Sequence, residues 1–194
     1  MNAVTQVRAP HSVAALAPAA VLEPAQYLTF MLAGEAFAIS ILSIKEIIEY
    51  HSLTEVPMMP ASVRGVINLR GAVVPVMDLL ARFGRKPSAV TKRTCIVIVE
   101  VEADVDGDRE RQVIGVVVDA VNEVLDIAAA DIEPAPAFGA RIRTDFIQGM
   151  GKVRGKFVIL LNVNHVLSLD DIHATTGAAE QLQLEAATAQ ADSH

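Results

Sequence analysis

Arg70-Gly71 stands between two apolar, β-branched runs inside the stretch Arg64-Gly65-Val66-Ile67-Asn68-Leu69-Arg70-Gly71-Ala72-Val73-Val74-Pro75-Val76-Met77-Asp78-Leu79. A guanidinium offers five N–H donors and a charge that does not titrate, so its chemistry is recognition of carboxylates and carbonyls rather than proton transfer. Gly71 tolerates the positive φ of a tight turn, and the flanking runs read as strands, which puts Arg70 at a hairpin tip with Gly65, Asn68 and Gly71 supporting the turn. Two readings stay open on the residues alone: a solvated turn arginine, or an anchor for a partner.

The other reactive side chains assemble no catalytic, metal or cofactor site. His11, His51, His165, His173 and His194 lack paired metal-ligand spacing. Cys95 lies in an apolar run without a neighbouring base, which suits a structural thiol better than a nucleophile. Asp78 and Asp119 each close a hydrophobic strand, a place where carboxylates cap turns more often than they act as bases. The run Asp104-Val105-Asp106-Gly107-Asp108 has its glycine at the wrong position for a calcium loop and Gly115 where a bidentate Glu is required, so it reads as an Asp-Gly turn. Gly149-Met150-Gly151-Lys152 has no following Ser or Thr and no strand-to-helix context for a phosphate cradle. Active-site groups can be distant in sequence, so these failures weaken an enzyme without excluding one.

The chain has 194 residues and a net charge of −7, which leaves no basic footprint for nucleic acid. One cysteine cannot form an internal disulfide, and the expected compartment is reducing. No apolar run reaches the length of a membrane span; the densest, Val113 to Val118, has strand length. Arg8 followed by Ser12 to Leu22 superficially resembles a signal peptide, but Ala richness and Pro18 favour an unstructured tail over residues 1–25.

Alternating patterns predict strands over Gln26–Leu32 and Ala36–Ile39, the central hairpin, then Cys95–Val101, Gln112–Asp119, Val121–Ile127, Phe146–Val153 and Lys156–Val163. Ile44, Ile47 and Ile48 fall at helical spacing behind Ser43, so Ile41–Tyr50 reads as a short helical turn capped by Ser43 and Glu46; a strand is the alternative. Further helical turns are expected at Ala128–Ile132 and Asn164–Ile172. The polar stretch Gly84–Thr91 is the expected boundary between subdomains 26–85 and 92–163, and residues 173–194 read as a weakly ordered tail. Many short strands with little helix indicate a mainly β fold of small barrels or sheets.

The combination of Gln26-Tyr27-Leu28-Thr29-Phe30, Ile44-Lys45-Glu46-Ile47, Asn68-Leu69-Arg70-Gly71 with Val74-Pro75-Val76-Met77-Asp78-Leu79, Gly115 to Val121, Ile132-Glu133-Pro134-Ala135-Pro136, Ile147-Gln148-Gly149-Met150-Gly151 and Leu160-Leu161-Asn162-Val163 resembles the CheW family of chemotaxis coupling proteins over residues 26–172. The resemblance implies two five-stranded SH3-like β-barrels with a hydrophobic groove between them. It implies a non-enzymatic cytoplasmic adaptor, without cofactors, that joins a CheA-type histidine kinase to the cytoplasmic tip of a methyl-accepting chemoreceptor at membrane-associated arrays. Ile44, Glu46, Ile47 and Arg70 match the family's interaction region. An adaptor for another chemosensory pathway, such as surface motility, would share these residues. A small-molecule-binding β-barrel is the remaining alternative.

Overall fold

The computed structural model describes residues 23–105, 108–136 and 142–168. It is mainly β, with eleven strands in two sheets among the described residues. The strands are β1 (Ala25–Leu32), β2 (Glu35–Ser40), β3 (Ile44–Glu49), β4 (Val63–Leu69), β5 (Ala72–Asp78), β6 (Cys95–Val105), β7 (Asp108–Val118), β8 (Ala120–Ile127), β9 (Ile132–Glu133), β10 (Ile147–Val153) and β11 (Lys156–Leu161). Two single-turn helices, α1 (Leu79–Arg82) and α2 (Val163–Val166), each follow a strand. Neither these nor any other helix among the described residues is long and apolar enough to cross a membrane.

The sheets do not follow the expected boundary near Lys86. One sheet runs β8-β1-β2-β11-β10-β9 and the other β3-β6-β7-β5-β4, so the first two strands pair with the last four and the middle of the chain builds the second sheet. Sequential halves fail because β2 leaves its hairpin and is next met, in parallel, by β11, while β5 is met in parallel by β7. The sheets hold six and five strands rather than five each.

Each sheet curls around its own apolar interior. In the five-stranded sheet, Ile67, Val74, Val76, Ile96, Ile98 and Val117 point inward, and the loop after β3 folds back onto β4 where Thr54 bridges Val66. Gly65 permits this approach: its φ is +149°, and a Cβ there would collide with the Thr54 carbonyl oxygen. In the six-stranded sheet, Tyr27, Ile127, Val158 and Leu160 form the interior. Its two edge strands, β8 and β9, are joined by the short 3-10 turn Ala129–Asp131, within the helical turn expected at Ala128–Ile132.

The space between the sheets is packed rather than open. Leu28, Phe30, Phe37 and Ile39 of one sheet meet Met77, Val97, Val99, Val116 and Val118 of the other. A cavity among Phe30, Leu79, Val97, Leu161 and Val166 has a volume of about 10 Å³. That is room for about one water, against the several hundred Å³ a small-molecule site needs.

The helical turn expected over Ile41–Tyr50 is instead a 3-10 turn, Ile41–Ser43, followed by β3. Ser40, not Ser43, caps it, its Oγ accepting from Leu42 N at 3.3 Å. The reason for the misreading lies in the register: Ile44 pairs with Val99 and Ile47 with Val97, while Glu46 and Ile48 pair with Ile98 and Ile96. A bulge at Lys45 shifts the alternation by one residue, so Ile44 and Ile47, three apart, share a face as they would on a helix. The helix expected at Asn164–Ile172 is confined to Val163–Val166, capped by Asn162, and its later residues lie outside the described ones, as do most of the expected tail 1–25 and all of 173–194. Residues 106 and 107 of the acidic turn are likewise outside. Gly149–Lys152 lies within β10.

Candidate functional site

The β4–β5 hairpin closes in two residues, with Leu69 paired to Ala72 and positive φ at both Arg70 (+50°) and Gly71 (+87°). Those angles make a turn whose twist matches the flanking strands; glycine meets the requirement without strain, whereas arginine does so at a cost of about 1 kcal/mol. Asn68 steadies the turn, its Oδ1 accepting from Gly71 N at 2.9 Å.

Arg70 reaches across to β3. Its Nη1 donates to Glu46 Oε1 at 2.8 Å and its Nη2 to Glu46 Oε2 at 2.9 Å, a two-pronged pair. Arg70 remains 77% exposed and Glu46 25%. Two of the five guanidinium donors are thereby engaged, and three remain for a further acceptor. An exposed pair of this kind contributes little to stability, about 0.2–1 kcal/mol, but it fixes the orientation of the long side chain.

Ile44 and Ile47 occupy the opposite face of β3 from Glu46, alongside Val99 and Val97. Ile44 packs against the core between the sheets, whereas Ile47 is 43% exposed. The structure therefore brings Arg70 and Glu46 together, aligns Ile44 with Ile47, and divides the two pairs between the faces of one strand. Beside the tip, Val73 is exposed opposite Asn68, an apolar contributor that alternation in Ala72-Val73-Val74 makes legible once the turn is fixed. Next to Glu46, Lys45 Nζ lies 2.7 Å from Glu100, which Arg111 also approaches at 3.5 Å. The hydrogen bond from Lys45, with the charges of Lys45 and Arg111, holds the Glu100 carboxyl below its ordinary value.

Asp78 and Asp119 serve the scaffold. The Asp78 side chain is fully buried; its Oδ1 accepts from Ala81 N to start α1, and its Oδ2 accepts from Ser88 N and Arg64 Nε. Arg64 also donates to the Ser88 carbonyl, so one ion pair ties β4, β5, α1 and the following loop. Asp119 Oδ2 accepts from Ala33 N at 2.7 Å in the β1–β2 turn. Cys95 begins β6 with its thiol against the Arg93 carbonyl.

Two curled β-sheets packed back to back, with a charged hairpin tip oriented by its own carboxylate partner, define a protein of the paired-barrel class. A family model described as the CheW-like domain matches residues 26–171. The chain belongs to the CheW family. It is 31% identical over 155 residues to the "Chemotaxis protein CheW" of Klebsiella aerogenes, covering 80% of this chain and 89% of that one. The Bacillus subtilis protein of the same name is 33% identical over 141 residues, 72% and 85% of the two chains. "Protein FrzA" of Myxococcus xanthus is 29% identical over 127 residues, 64% and 74%. The crystal structure of the scaffolding protein TtCheW from Thermoanaerobacter tengcongensis is similar with a TM-score of 0.65 and 34% identity, covering 75% of this chain and 89% of that one.

Proposed function

We propose that this protein is a chemotaxis adaptor that holds a CheA-type histidine kinase and the cytoplasmic tip of a chemoreceptor in one complex, acting by contact and without turnover. The observation that carries the reading is the Arg70–Glu46 pair: a cation held in one orientation at an exposed, rigid tip, in a chain of the CheW family. Preorientation removes part of the ordering entropy a flexible arginine would lose on binding. Its free donors suit the carboxylates and terminal carbonyls of a helical hairpin, and exposed Ile47 supplies apolar contact to an amphipathic helix. Ile44 supports that contact from beneath. The kinase is engaged through barrel-to-barrel packing, and the assembly works in the cytoplasm at receptor arrays. Kinase activity then depends on receptor conformation because the two receptor states differ in contact free energy.

Isothermal titration against a kinase regulatory domain and a receptor-tip fragment, each separately, tests the site. Arg70→Ala weakens binding to at least one by about thirtyfold, or about 2 kcal/mol. Unchanged affinity for both removes the role. A second reading, the same adaptor chemistry in another chemosensory pathway such as surface motility, is favoured by the similarity to FrzA; it is distinguished by which kinase binds.

A further inference from the structure

On this acidic chain, residues 79–99 contain no Asp or Glu and carry Arg82, Arg85, Lys86, Lys92 and Arg93, five of the 16 cations. The fold gathers most of them around the β1–β2 turn. Arg85 Nη1 lies 3.4 Å from Glu35 Oε2 in that turn, and Gly34 of the same turn lines an open cleft of about 680 Å³ with Thr91, Lys92, Arg93 and Asp119. Among the described residues the side chains of Lys92 and Arg93 have no hydrogen-bond or ion-pair partner. They are displayed on a fixed turn: Thr94 Oγ1 accepts from Thr91 N at 2.8 Å, and Thr91 Oγ1 accepts from Arg93 N at 3.2 Å.

We propose that this cleft is a second docking surface, for a short acidic polypeptide segment, with Lys92 and Arg93 as its anchors and Arg85 beside it at the β1–β2 turn. Charge decides the size of the partner. Screening confines the attraction of the patch to about 8 Å, while the net charge of −7 repels an extended polyanion such as nucleic acid or an anionic bilayer. The cleft floor decides its kind: Met31 and Ala120 lie beside the cations, so an acidic peptide can seat both a carboxylate and an aliphatic side chain. This surface is separate from the hairpin tip. Arg93 lies five residues before Ile98, the β6 partner of Glu46, so about 16 Å of extended chain divides the two.

Fluorescence anisotropy of a short labelled Asp/Glu-rich peptide, titrated with the full chain at low ionic strength, tests the proposal. Lys92→Glu with Arg93→Glu is expected to weaken binding by about tenfold or more. The charge-matched pair Arg109→Glu with Arg111→Glu, on the β6–β7 hairpin, retains affinity. Backbone amide shifts of Gly34 and Thr91 on peptide addition check the location independently of any variant. Equal losses in both double variants would reduce the effect to net charge and overturn the proposal. So would the absence of shifts, displacement of the peptide by inorganic phosphate at matched charge, or tighter binding to anionic vesicles.

Discussion

Arg70 and Glu46, 24 residues apart in sequence, meet through two parallel hydrogen bonds of 2.8 and 2.9 Å between the β4–β5 turn and β3. The pair ties the edge strand β3 to the β4–β5 turn, and the isolated Thr54–Val66 bridge ties the loop after β3 to β4. It fixes one cation at the rim of the curled five-stranded sheet.

Arginine is a poor residue for its own backbone position, and this separates stability from binding. Asn or Gly would meet φ of +50° with less strain. Arg70→Asn relieves up to about 1 kcal/mol of strain while losing an exposed pair of similar worth, so urea denaturation places its stability within about 1 kcal/mol of the parent. Partner affinity still falls by about thirtyfold in the titration described above.

Ile44 and Ile47 share a face but not a degree of burial. Truncating Ile44 to Ala opens space beside the core and lowers stability by about 1–2 kcal/mol. Truncating exposed Ile47 changes stability by about 0.5 kcal/mol or less yet reduces affinity for the helical partner by about tenfold. Paired denaturation and binding measurements on both variants check the division.

Asp78 is the buried carboxylate on which four segments converge. Asp78→Ala strands Arg64, only 19% exposed, without its counter-charge and leaves Ser88 N and Ala81 N without their acceptors. Such a loss costs about 3–5 kcal/mol, visible as a lower midpoint in urea.

Two solvent-facing carboxyls contribute to the acid limb of stability. Glu100 is held below its ordinary 4.5 chiefly by Lys45, and Asp145 below its ordinary 3.8 chiefly by Arg143. A lowered folded-state value means the contribution is complete above those ordinary values and is lost as pH falls through the lower folded ones. Denaturation midpoints measured from about pH 6 to about pH 3 fall in that window, and Lys45→Met makes the Glu100 part of the decline shallower.

Much of this was legible in the sequence, and the misses have physical causes. The hairpin with Arg70 at its tip follows from Gly71 and the flanking β-branched runs, and the capping role of Asp78 from its place at a strand end. Glu46 and Arg70 are both legible as candidates, but their contact depends on how the five-stranded sheet curls, which no local pattern records. The bulge at Lys45 gave Ile44 and Ile47 a helical spacing on a strand. The pairing of β2 with β11 and of β5 with β7 joins distant segments in parallel, so the polar stretch near Lys86 looked like a boundary although the sheets interleave across it. The cleft with Lys92 and Arg93 has no local signature, because these residues and Arg85 converge around the β1–β2 turn only in the folded chain.

The most direct test of the adaptor reading is phosphorylation of a reconstituted mixture of CheA-type kinase and receptor-tip fragment in two receptor signalling states, with this protein, with its Arg70→Ala variant, and without either. The account predicts that kinase activity follows receptor state only when the parent protein is present, and that the variant needs a higher concentration, by about thirtyfold, to restore the response. Equal receptor control of the kinase in its absence would contradict the account.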